Sequence, residues 1–427
     1  MQLFVNNWSA TLTASATLGA TSISVDPAQA AKLVGITAED YYLLTLVEVD
    51  GAGTEIAWEV VKVTGVSSGV LTVVRAQDGT TARAWDADTG VSVRATAAAF
   101  AALQADIDAL RAMIAGGPST AGATWTIRSS AADNSWSSVC WSPELDLFVA
   151  VASSGTNRVM TSPDGIAWTS RAVPVGNGWS SVCWSADLSL FVAVSYTGTG
   201  DRVMTSTDGI NWTSRTSAAD SDWVSVCWSP ELDLFVAVAQ SAGTSGVMTS
   251  PNGTTWTIRT TPSSDWNAVC WAAGLGLFVA VGDANYSGVM TSPNGIAWTE
   301  RPCPDYNNYS AVCWSPALGM LVALAKSGTG DRAMISHDGI TWTTRLGPVD
   351  NIWTSVCWSP ELGLFVATAG AFSANGSRVM TSPDGAVWTS RTTPADNTWN
   401  SVCWSQELEL FVAVAESGSG NRVMTAG

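Results

Sequence analysis

The chain repeats one unit of about 43 residues seven times, and this repeat constrains the fold more than any other feature of the sequence. The dipeptide Cys-Trp marks every copy, and successive marker cysteines lie 43 to 46 residues apart. A repeat of this length, rich in short β-prone segments, is typical of a β-propeller, in which each copy forms one four-stranded blade. The marker cysteines are Cys140, Cys183, Cys227, Cys270, Cys313, Cys357 and Cys403.

Four short strands are predicted in each copy, because segments rich in Val, Phe, Trp and Thr alternate with turn residues. In the first complete copy they span residues 138–141, 147–151, 158–162 and 168–171. The fragment 125–128 precedes this copy and reads as a lone fourth strand, whereas the last copy ends without one. We therefore predict that the fragment completes the last blade and closes a seven-bladed propeller over residues 124–427.

The sequence SPDGIAW at residues 162–168 recurs with small changes in five later copies and predicts a tight turn between the third and fourth strands. It resembles the Asp-box (BNR) repeat of sialidase-type propellers, with one residue fewer between Asp and Gly. A charged site would not tolerate the exchange of Asp for Asn, so we interpret the repeat as structural. His337, the only histidine, lies in one such turn and is expected to be exposed. Asp stands at residues 164, 208, 338 and 384, and Asn stands at 252 and 294.

The resemblance to sialidases implies an arginine cluster, a nucleophilic Tyr beside a Glu and an acidic Asp. The arginines of this chain instead recur in register, as packing or ion-pair devices would, and no nucleophile–base pair stands apart from the repeat. We therefore expect no enzymatic activity, no metal and no cofactor, with a sialidase-like glycosidase acting on surface polysaccharide as the alternative. One set of arginines ends the fourth strand (Arg128, Arg171, Arg215, Arg259, Arg301, Arg345, Arg391) and another opens the third (Arg158, Arg202, Arg332, Arg378, Arg422).

Tryptophan and cysteine follow the repeat as well. Of 23 tryptophans, seven begin the fourth strand, seven follow the marker cysteines and six begin the first strand, where Tyr309 takes the seventh place. We predict that the first two sets are core, and we favour core over a stacking surface for the third. The marker cysteines are interpreted as small buried hydrophobes, and Cys303 lies in a loop. This usage predicts assembly in a reducing cytoplasm.

The copies differ most in the loops that join the second strand to the third and the fourth strand to the next first strand. Because strands alternate in direction, these loops share one face, which we call the variable face; the other loops form the constant face. Variable loops on a constant framework favour ligand binding, and aromatic and polar side chains suit a glycan. The alternative is that these loops are merely unconstrained. The predicted receptor-binding residues are Tyr196, Tyr286, Tyr306, Tyr309, Phe372, Asn285 and Asn307.

Residues 1–95 lack the repeat and predict a small antiparallel β domain, barrel-like or sandwich-like. Residues 96–115 then predict a helix whose apolar residues step by three and four, as in a coiled-coil seam of about two and a half heptads. Ile at the a positions and Leu at the d positions would favour a dimer. A single amphipathic helix docked on a domain is the alternative, and residues 116–123 read as a linker. The seam residues are Phe100, Leu103, Ile107, Leu110 and Ile114.

The segments 19–33 and 71–96 resemble the amino-terminal region of bacteriophage tail-fibre and related virion proteins. The resemblance covers about a quarter of the chain and does not include the propeller. It implies a domain attached to other phage structural proteins, a homotrimer joined through a short helix, and a distal domain that recognises the bacterial surface. The expected location is the virion, after assembly in the host cytoplasm.

Acidic residues outnumber basic ones by 36 to 19, giving a net charge of −17. Such a charge disfavours binding to nucleic acid or to anionic membranes, and no apolar run is long enough to predict a membrane span. The sequence therefore predicts a structural phage protein, a tail fibre or receptor-binding protein whose propeller loops contact a host glycan. A head fibre or decoration protein is a further alternative.

Overall fold

The structure is a computed structural model that divides into two compact units, Met1–Ile114 (unit 1) and Ala115–Gly427 (unit 2). The predicted helix 96–115, its five seam residues and residues 116–121 of the predicted linker lie outside the described residues. The structure describes residues 2–3, 9–34, 36, 41–50, 54–77, 79–92, 122–283, 288–370 and 377–427.

Unit 1 contains seven described strands and one short helix. The strands are β1 (Gln2–Leu3), β2 (Ser9–Thr11), β3 (Ser22–Ser24), β4 (Tyr41–Val49), β5 (Glu55–Ser67), β6 (Val70–Gln77) and β7 (Gly90–Ser92), and helix α1 spans Pro27–Ala30. They form one sheet in the order β2-β7-β4-β5-β6-β3, with β1 paired to β4. The predicted antiparallel pairing holds for the described pairs other than β1 with β4, which is parallel. An isolated bridge between Leu12 and Val25 links the two ends of this order.

A buried carboxylate organises the interior of unit 1. Glu59 on β5 is fully buried, and its two oxygens accept hydrogen bonds of 2.7 and 2.6 Å from the Arg75 guanidinium. The Trp85 indole N–H and the backbone N–H groups of Ala76 and Arg83 also donate to this carboxylate. Burial alone would raise the pKa of Glu59, but these hydrogen bonds outweigh it and lower the pKa. The ion pair therefore joins β5 to β6 and to the segment around Trp85.

The described residues of unit 2 form seven four-stranded antiparallel sheets, which we call blades 1 to 7. A lone strand, β8 (Thr126–Arg128), precedes them. Blade 1 contains β9 (Ser135–Ser142), β10 (Leu147–Ser154), β11 (Val159–Ser162) and β12 (Thr169–Arg171). Blade 2 contains β13 (Trp179–Ser185), β14 (Leu190–Ser195), β15 (Val203–Ser206) and β16 (Thr213–Arg215). Blade 3 contains β17 (Asp222–Ser229), β18 (Leu234–Gln240), β19 (Val247–Ser250) and β20 (Thr257–Arg259).

The remaining blades repeat this order. Blade 4 contains β21 (Trp266–Ala272), a 3₁₀ turn (Ala273–Leu275), β22 (Leu277–Gly282), β23 (Val289–Ser292) and β24 (Thr299–Arg301). Blade 5 contains β25 (Tyr309–Ser315), β26 (Met320–Ala325), β27 (Ala333–Ser336) and β28 (Thr343–Arg345). Blade 6 contains β29 (Ile352–Ser359), β30 (Leu364–Gly370), β31 (Val379–Ser382) and β32 (Thr389–Arg391). Blade 7 contains β33 (Trp399–Ser405), β34 (Leu410–Ala415) and β35 (Val423–Ala426), and β8 is its fourth strand.

The pairing of β8 with β35 joins the start of unit 2 to its last blade, as the sequence predicted. Ile127 pairs with Met424 in an antiparallel ladder, and the Arg128 Nε donates to the Thr425 hydroxyl at 3.0 Å. Trp125 is buried in the apolar cluster that includes Phe411. Strand β33 of blade 7 also contacts β9 of blade 1, so the last blade packs on the first.

Each first strand carries a β-bulge immediately after its aromatic residue, and in six of the seven blades the side chain of the bulged residue bonds to the next blade. In blade 1 the Ser137 hydroxyl donates to the Trp179 carbonyl at 2.6 Å, and in blade 7 the Asn400 amide donates to the Trp136 carbonyl at 3.1 Å. Val224 makes no such bond in blade 3. The bulge redirects a side chain across the gap between blades, which is a common use of this irregularity. The bulged residues are Ser137, Ser180, Val224, Asn267, Ser310, Thr354 and Asn400.

The turn between the third and fourth strands packs on the preceding blade. The turn is repeated because each blade that carries it must make the same contact with its neighbour. The Asp164 carboxylate accepts the backbone N–H groups of Ile166 and Ala167 at 2.8 and 2.9 Å. Gly165 has a φ of 70°, and a Cβ added there would lie 2.9 Å from Val412 of blade 7. Asn252 accepts the two equivalent N–H groups in its own turn at 3.0 and 2.9 Å, so the turn needs an acceptor oxygen and not a charge.

These turns predict an acid-sensitive contribution to stability. Burial would raise the pKa of Asp208, but hydrogen bonds from Asn211, Ile210 and Ser206 lower it to about 2. Hydrogen bonds, chiefly from the Thr341 N–H, lower the pKa of Asp338 to about 2. Because both values lie below the unfolded value of about 3.9, the stabilisation is present above pH ~4 and is lost as the pH falls towards 2.

The double variant Asp208→Asn, Asp338→Asn keeps an acceptor in both turns and removes this titration. Between pH 5 and pH 2, we expect its melting temperature to fall by about 2–4 °C less than that of the wild type. Thermal unfolding followed by circular dichroism at each pH measures the difference. Equal losses in the two proteins would show that these carboxylates do not contribute to the pH dependence.

Candidate binding face

A repeated asparagine fastens together the two loop types of the variable face. It stands two residues before the first-strand aromatic, and its amide donates to a carbonyl of the loop between the second and third strands. Asn177 bonds in this way to Asp201 at 3.0 Å, and Asn397 bonds to Asn421 at 2.9 Å. In blade 4, Ser264 takes the position and donates to the Asp283 carbonyl at 3.2 Å. The asparagines are Asn134, Asn177, Asn307, Asn351 and Asn397.

In four of the five blades that have it, the arginine that opens the third strand connects neighbouring blades on this face through an ion pair, as predicted, whereas Arg158 donates to the Ser153 and Gly155 carbonyls of its own blade. Arg202 of blade 2 donates to the Ser221 carbonyl at 2.8 Å and lies 3.7 Å from the Asp220 carboxylate. Both partners belong to the loop that leads into blade 3. The same arrangement is made by Arg332 with Asp350, Arg378 with Asp396 and Arg422 with Asp133.

Two predicted receptor-binding residues are part of this framework, and their prediction is wrong. Tyr309 is fully buried in place of the usual tryptophan, and its hydroxyl donates to the Asp305 carboxylate at 2.8 Å. Asn307 is 6% exposed and is the blade 5 member of the repeated asparagine set. Neither side chain is accessible to a ligand, because both are needed to fix the loop that they belong to.

Two other predicted residues are exposed. Tyr306 is 86% exposed. In other loops, the equivalent residue is the aspartate that pairs with an arginine of the preceding blade. Blade 4, which precedes Tyr306, has Gly288 in place of that arginine, so no such pair can form here. Tyr196 is 40% exposed, and its ring lies against Gly178, where an added Cβ would be 2.8 Å from the ring. Asn285, Tyr286 and Phe372 lie outside the described residues.

A central cavity of about 180 Å³ lies between the innermost strands of all seven blades. Its lining residues are the bulged residues and their neighbours, chiefly serines with Thr354, Asn267 and Asn400, and none of them is charged. Six of these hydroxyl and amide groups donate to a carbonyl of the next blade, and five serine hydroxyls accept a backbone N–H of a neighbouring blade. The cavity is therefore polar and fixed in shape by the same bonds that connect the blades.

Apart from Tyr196, the sequence analysis did not single out the residues at the mouth of this cavity. One residue directly follows the repeated apolar segment of each second strand, at the loop end of the strand, and we call these seven the mouth residues. The Gln240 amide bonds to Asn267, and the Glu416 carboxylate accepts from Asn400 at 3.2 Å, so two of them contact cavity-lining side chains. No two blades share the same mouth residue, unlike the nearly constant strand beside it. The mouth residues are Ser153, Tyr196, Gln240, Asp283, Lys326, Gly370 and Glu416.

The constant face is more uniform. In five blades the tryptophan after the marker cysteine donates its indole N–H to a carboxylate of the preceding blade, as Trp141 does to Glu407 at 2.6 Å. Most of these rings are only partly buried, so the prediction that this set is core holds incompletely. His337 is exposed, as expected, and its Nδ1 lies 3.0 Å from the Gly319 carbonyl.

The cysteines form no disulfide, and the described residues contain neither a metal-binding cluster nor a membrane-spanning helix. All eight cysteines are free, and burial raises the pKa of each thiol, to about 11 at Cys303 and about 12 at Cys313. Within the described ranges, no group of three or more His, Cys, Asp or Glu side chains is placed to hold a metal ion. In the same residues, no helix has the length and apolar character needed to cross a membrane.

Comparison with solved structures shows the fold. Virginiamycin B lyase from Staphylococcus aureus is similar with a TM-score of 0.60 and 8% identity, over 71% of this chain and 98% of the lyase. YCF48 from Cyanidioschyzon merolae is similar with a TM-score of 0.54 and 15% identity, over 71% of this chain and 99% of that protein. A YCF48 structure with a bound D1 peptide gives 0.52 and 13%, over 71% and 96%.

These neighbours are β-propellers. Together with the repeated four-stranded sheets they establish that this chain contains a β-propeller fold. No protein-family profile and no curated protein sequence matches the chain. At identities of 8 to 15%, the likeness shows the fold alone and carries no activity across.

Proposed function

We propose that the chain is a structural phage virion protein, a tail fibre or receptor-binding protein, and that its variable face binds a glycan of the bacterial surface. Unit 2 acts as a closed seven-bladed propeller, unit 1 attaches to other virion proteins, and the segment 96–115 gathers identical chains, as a trimer if the resemblance to tail fibres holds. Several weak contacts would then act together through avidity. Assembly takes place in the host cytoplasm.

The observation that carries this proposal is the contrast within the variable face. Hydrogen bonds from the repeated asparagines and from the blade-connecting arginines fix the loops in nearly every blade. Tyr306 and Tyr196 nevertheless remain exposed in these loops. Exposed tyrosines beside hydroxyl and amide groups suit a saccharide, because the ring stacks on the sugar and the polar groups bond to its hydroxyls.

The direct test is adsorption of the full chain to cells of the natural host. The double variant Tyr196→Ala, Tyr306→Ala should bind at least ~10-fold more weakly, because stacking residues dominate such contacts. Added host glycans should compete with the wild type. The matched control is Ile210→Ser, Val387→Ser, which changes two exposed apolar side chains of the constant face. Unchanged adsorption of the tyrosine variant, or equal loss in both variants, would contradict the proposal.

We also propose that binding occurs without cleavage. The ionisable side chains described on the variable face are largely committed to the ties between loops, as Arg202 is to Asp220 and Arg332 to Asp350. Host polysaccharide incubated with the chain should therefore show no new reducing ends. Release of oligosaccharides would favour the glycosidase alternative instead.

A further inference from the structure

One of the mouth residues, Lys326, carries a positive charge on the variable face. Lys326 is the only lysine between residues 122 and 427; arginine supplies every other cation of that region. It follows β26 of blade 5, and its backbone N–H bonds to the Asn308 carbonyl at 2.8 Å. Next around the mouth is Gly370, which has no side chain, and beyond it is Glu416. Because Gly370 places no side chain between them, the Lys326 ammonium and the Glu416 carboxylate interact electrostatically.

The acidic groups around the mouth already have partners. Asp222 pairs with Arg202 at 3.1 Å, Asp265 accepts the Ser241 N–H at 2.7 Å, and Glu416 accepts from Asn400. Asp283 also has a partner. Among the described residues, the Lys326 ammonium makes neither a hydrogen bond nor an ion pair, although its side chain is exposed. Lys326 is therefore the one cation among the mouth residues, and among the described residues its ammonium has no hydrogen-bond acceptor.

We propose that the mouth of the central cavity binds an acidic sugar, with the sugar carboxylate on the Lys326 ammonium. The proposal rests on the proposed glycan-binding function and names the class of sugar. The Ser310 and Thr354 hydroxyls of the cavity wall already donate to backbone carbonyls of their own and the next blade, but their oxygens can still accept hydrogen bonds from the hydroxyls of the same sugar. A cavity of about 180 Å³ is below the ~300–1,000 Å³ of pockets for drug-sized ligands, so it accepts one sugar unit and not a chain.

Two electrostatic facts favour a carboxylate over a neutral sugar. A neutral sugar hydroxyl can accept a hydrogen bond from the ammonium, but only an anion adds the Coulomb attraction between opposite charges. The protein around Lys326 desolvates its ammonium and lowers its pKa, while Glu416 opposes this shift, and an added anion would favour the charged form in the same way as Glu416 does.

The chain contains only three lysines, which makes the test direct. Reductive ¹³C-methylation of the full chain keeps the charges and gives resolved signals for Lys32, Lys62 and Lys326. Methyl β-D-glucuronide should shift the Lys326 signal in a saturable manner, and the neutral methyl β-D-glucoside should not. Equal shifts with both sugars, or no shift with either, would overturn the inference. A shift with inorganic phosphate at the same or lower concentration would show a general anion site and overturn the assignment to a sugar.

Variants supply the control. Lys326→Gln should weaken glucuronide binding by ~10-fold or more, Lys326→Arg should keep most of it, and Lys62→Gln in unit 1 should leave it unchanged. Binding by the Lys326→Gln protein equal to wild type, measured through Tyr196 resonances, would overturn the inference. Host-cell adsorption separates the two proposals. If Lys326→Gln adsorbs normally while the tyrosine variant does not, the sugar class is wrong and the proposed function stands.

Discussion

Replacing Trp125 with alanine should destabilise unit 2 by about 3–5 kcal/mol, the usual cost of removing a buried tryptophan. Trp125 is 5% exposed, its ring centroid lies 6.4 Å from that of Phe411, and its indole N–H donates to the Gly122 carbonyl at 3.0 Å. The ring contact joins residues almost 300 positions apart in the chain. The loss should appear as a lower urea midpoint in unfolding followed by near-ultraviolet circular dichroism.

Trp212 provides a matched control for this substitution. It is 9% exposed, lies 6.2 Å from Phe191 and donates to the Gly209 carbonyl at 3.0 Å, and both of these partners belong to its own blade. Trp212→Ala should therefore cost about as much as Trp125→Ala. Trp58→Ala, at a 59% exposed ring of unit 1, should cost less than ~0.5 kcal/mol. A mild effect at Trp125 with a large one at Trp212 would mean that β8 does not complete blade 7.

The second large effect is expected at Glu59. Glu59→Ala leaves the guanidinium of Arg75 buried without its carboxylate, and breaking a buried pair in this way typically costs about 3–5 kcal/mol. The Trp85 indole and two backbone N–H groups lose their acceptor in the same change. Hydrogen exchange of the β5 and β6 amides, measured by mass spectrometry on the full chain, should accelerate strongly in the variant.

The exposed pair between Glu48 and Arg83 is the control for Glu59. Their side chains are 46% and 43% exposed, so Glu48→Ala should cost less than ~1 kcal/mol and leave the exchange of β5 and β6 nearly unchanged. Exchange in blades of unit 2 should not respond to either variant. If Glu48→Ala and Glu59→Ala accelerate exchange equally, the buried network does not hold this sheet together.

Much of the β structure could be predicted because the repeat supplies seven readings of one pattern. The strand bounds predicted for blade 1 differ from the observed ones by a few residues at most, and the orphan strand before the first copy was correctly assigned to the last blade. In unit 1, β1 and β2 were not predicted; they have two and three residues, too few for a pattern of alternation to appear.

The binding residues could be predicted only in part, because a residue type says little without its place in the repeat. Tyr309 occupies the position of the buried first-strand tryptophan, and Asn307 occupies the position of the repeated asparagine. These equivalent positions are visible in the sequence, and they predict a structural role more reliably than the variable loop around them predicts binding. Apart from Tyr196, the mouth residues were missed for the opposite reason. Each is ordinary in its own copy, and their significance emerges only when the second strands of all the copies end around one cavity.

The shortness of β8 has a mechanical consequence. A pull that reaches unit 2 along the chain from residue 122 acts first on a strand with only three paired residues, Thr126–Arg128. The fourth strands of the other blades follow their own hairpins and are not loaded directly. Under force, we therefore expect blade 7 to unfold first. The hydrogen bonds between β8 and β35 break one after another, and the Trp125 indole must leave its buried site before β8 separates from the blade.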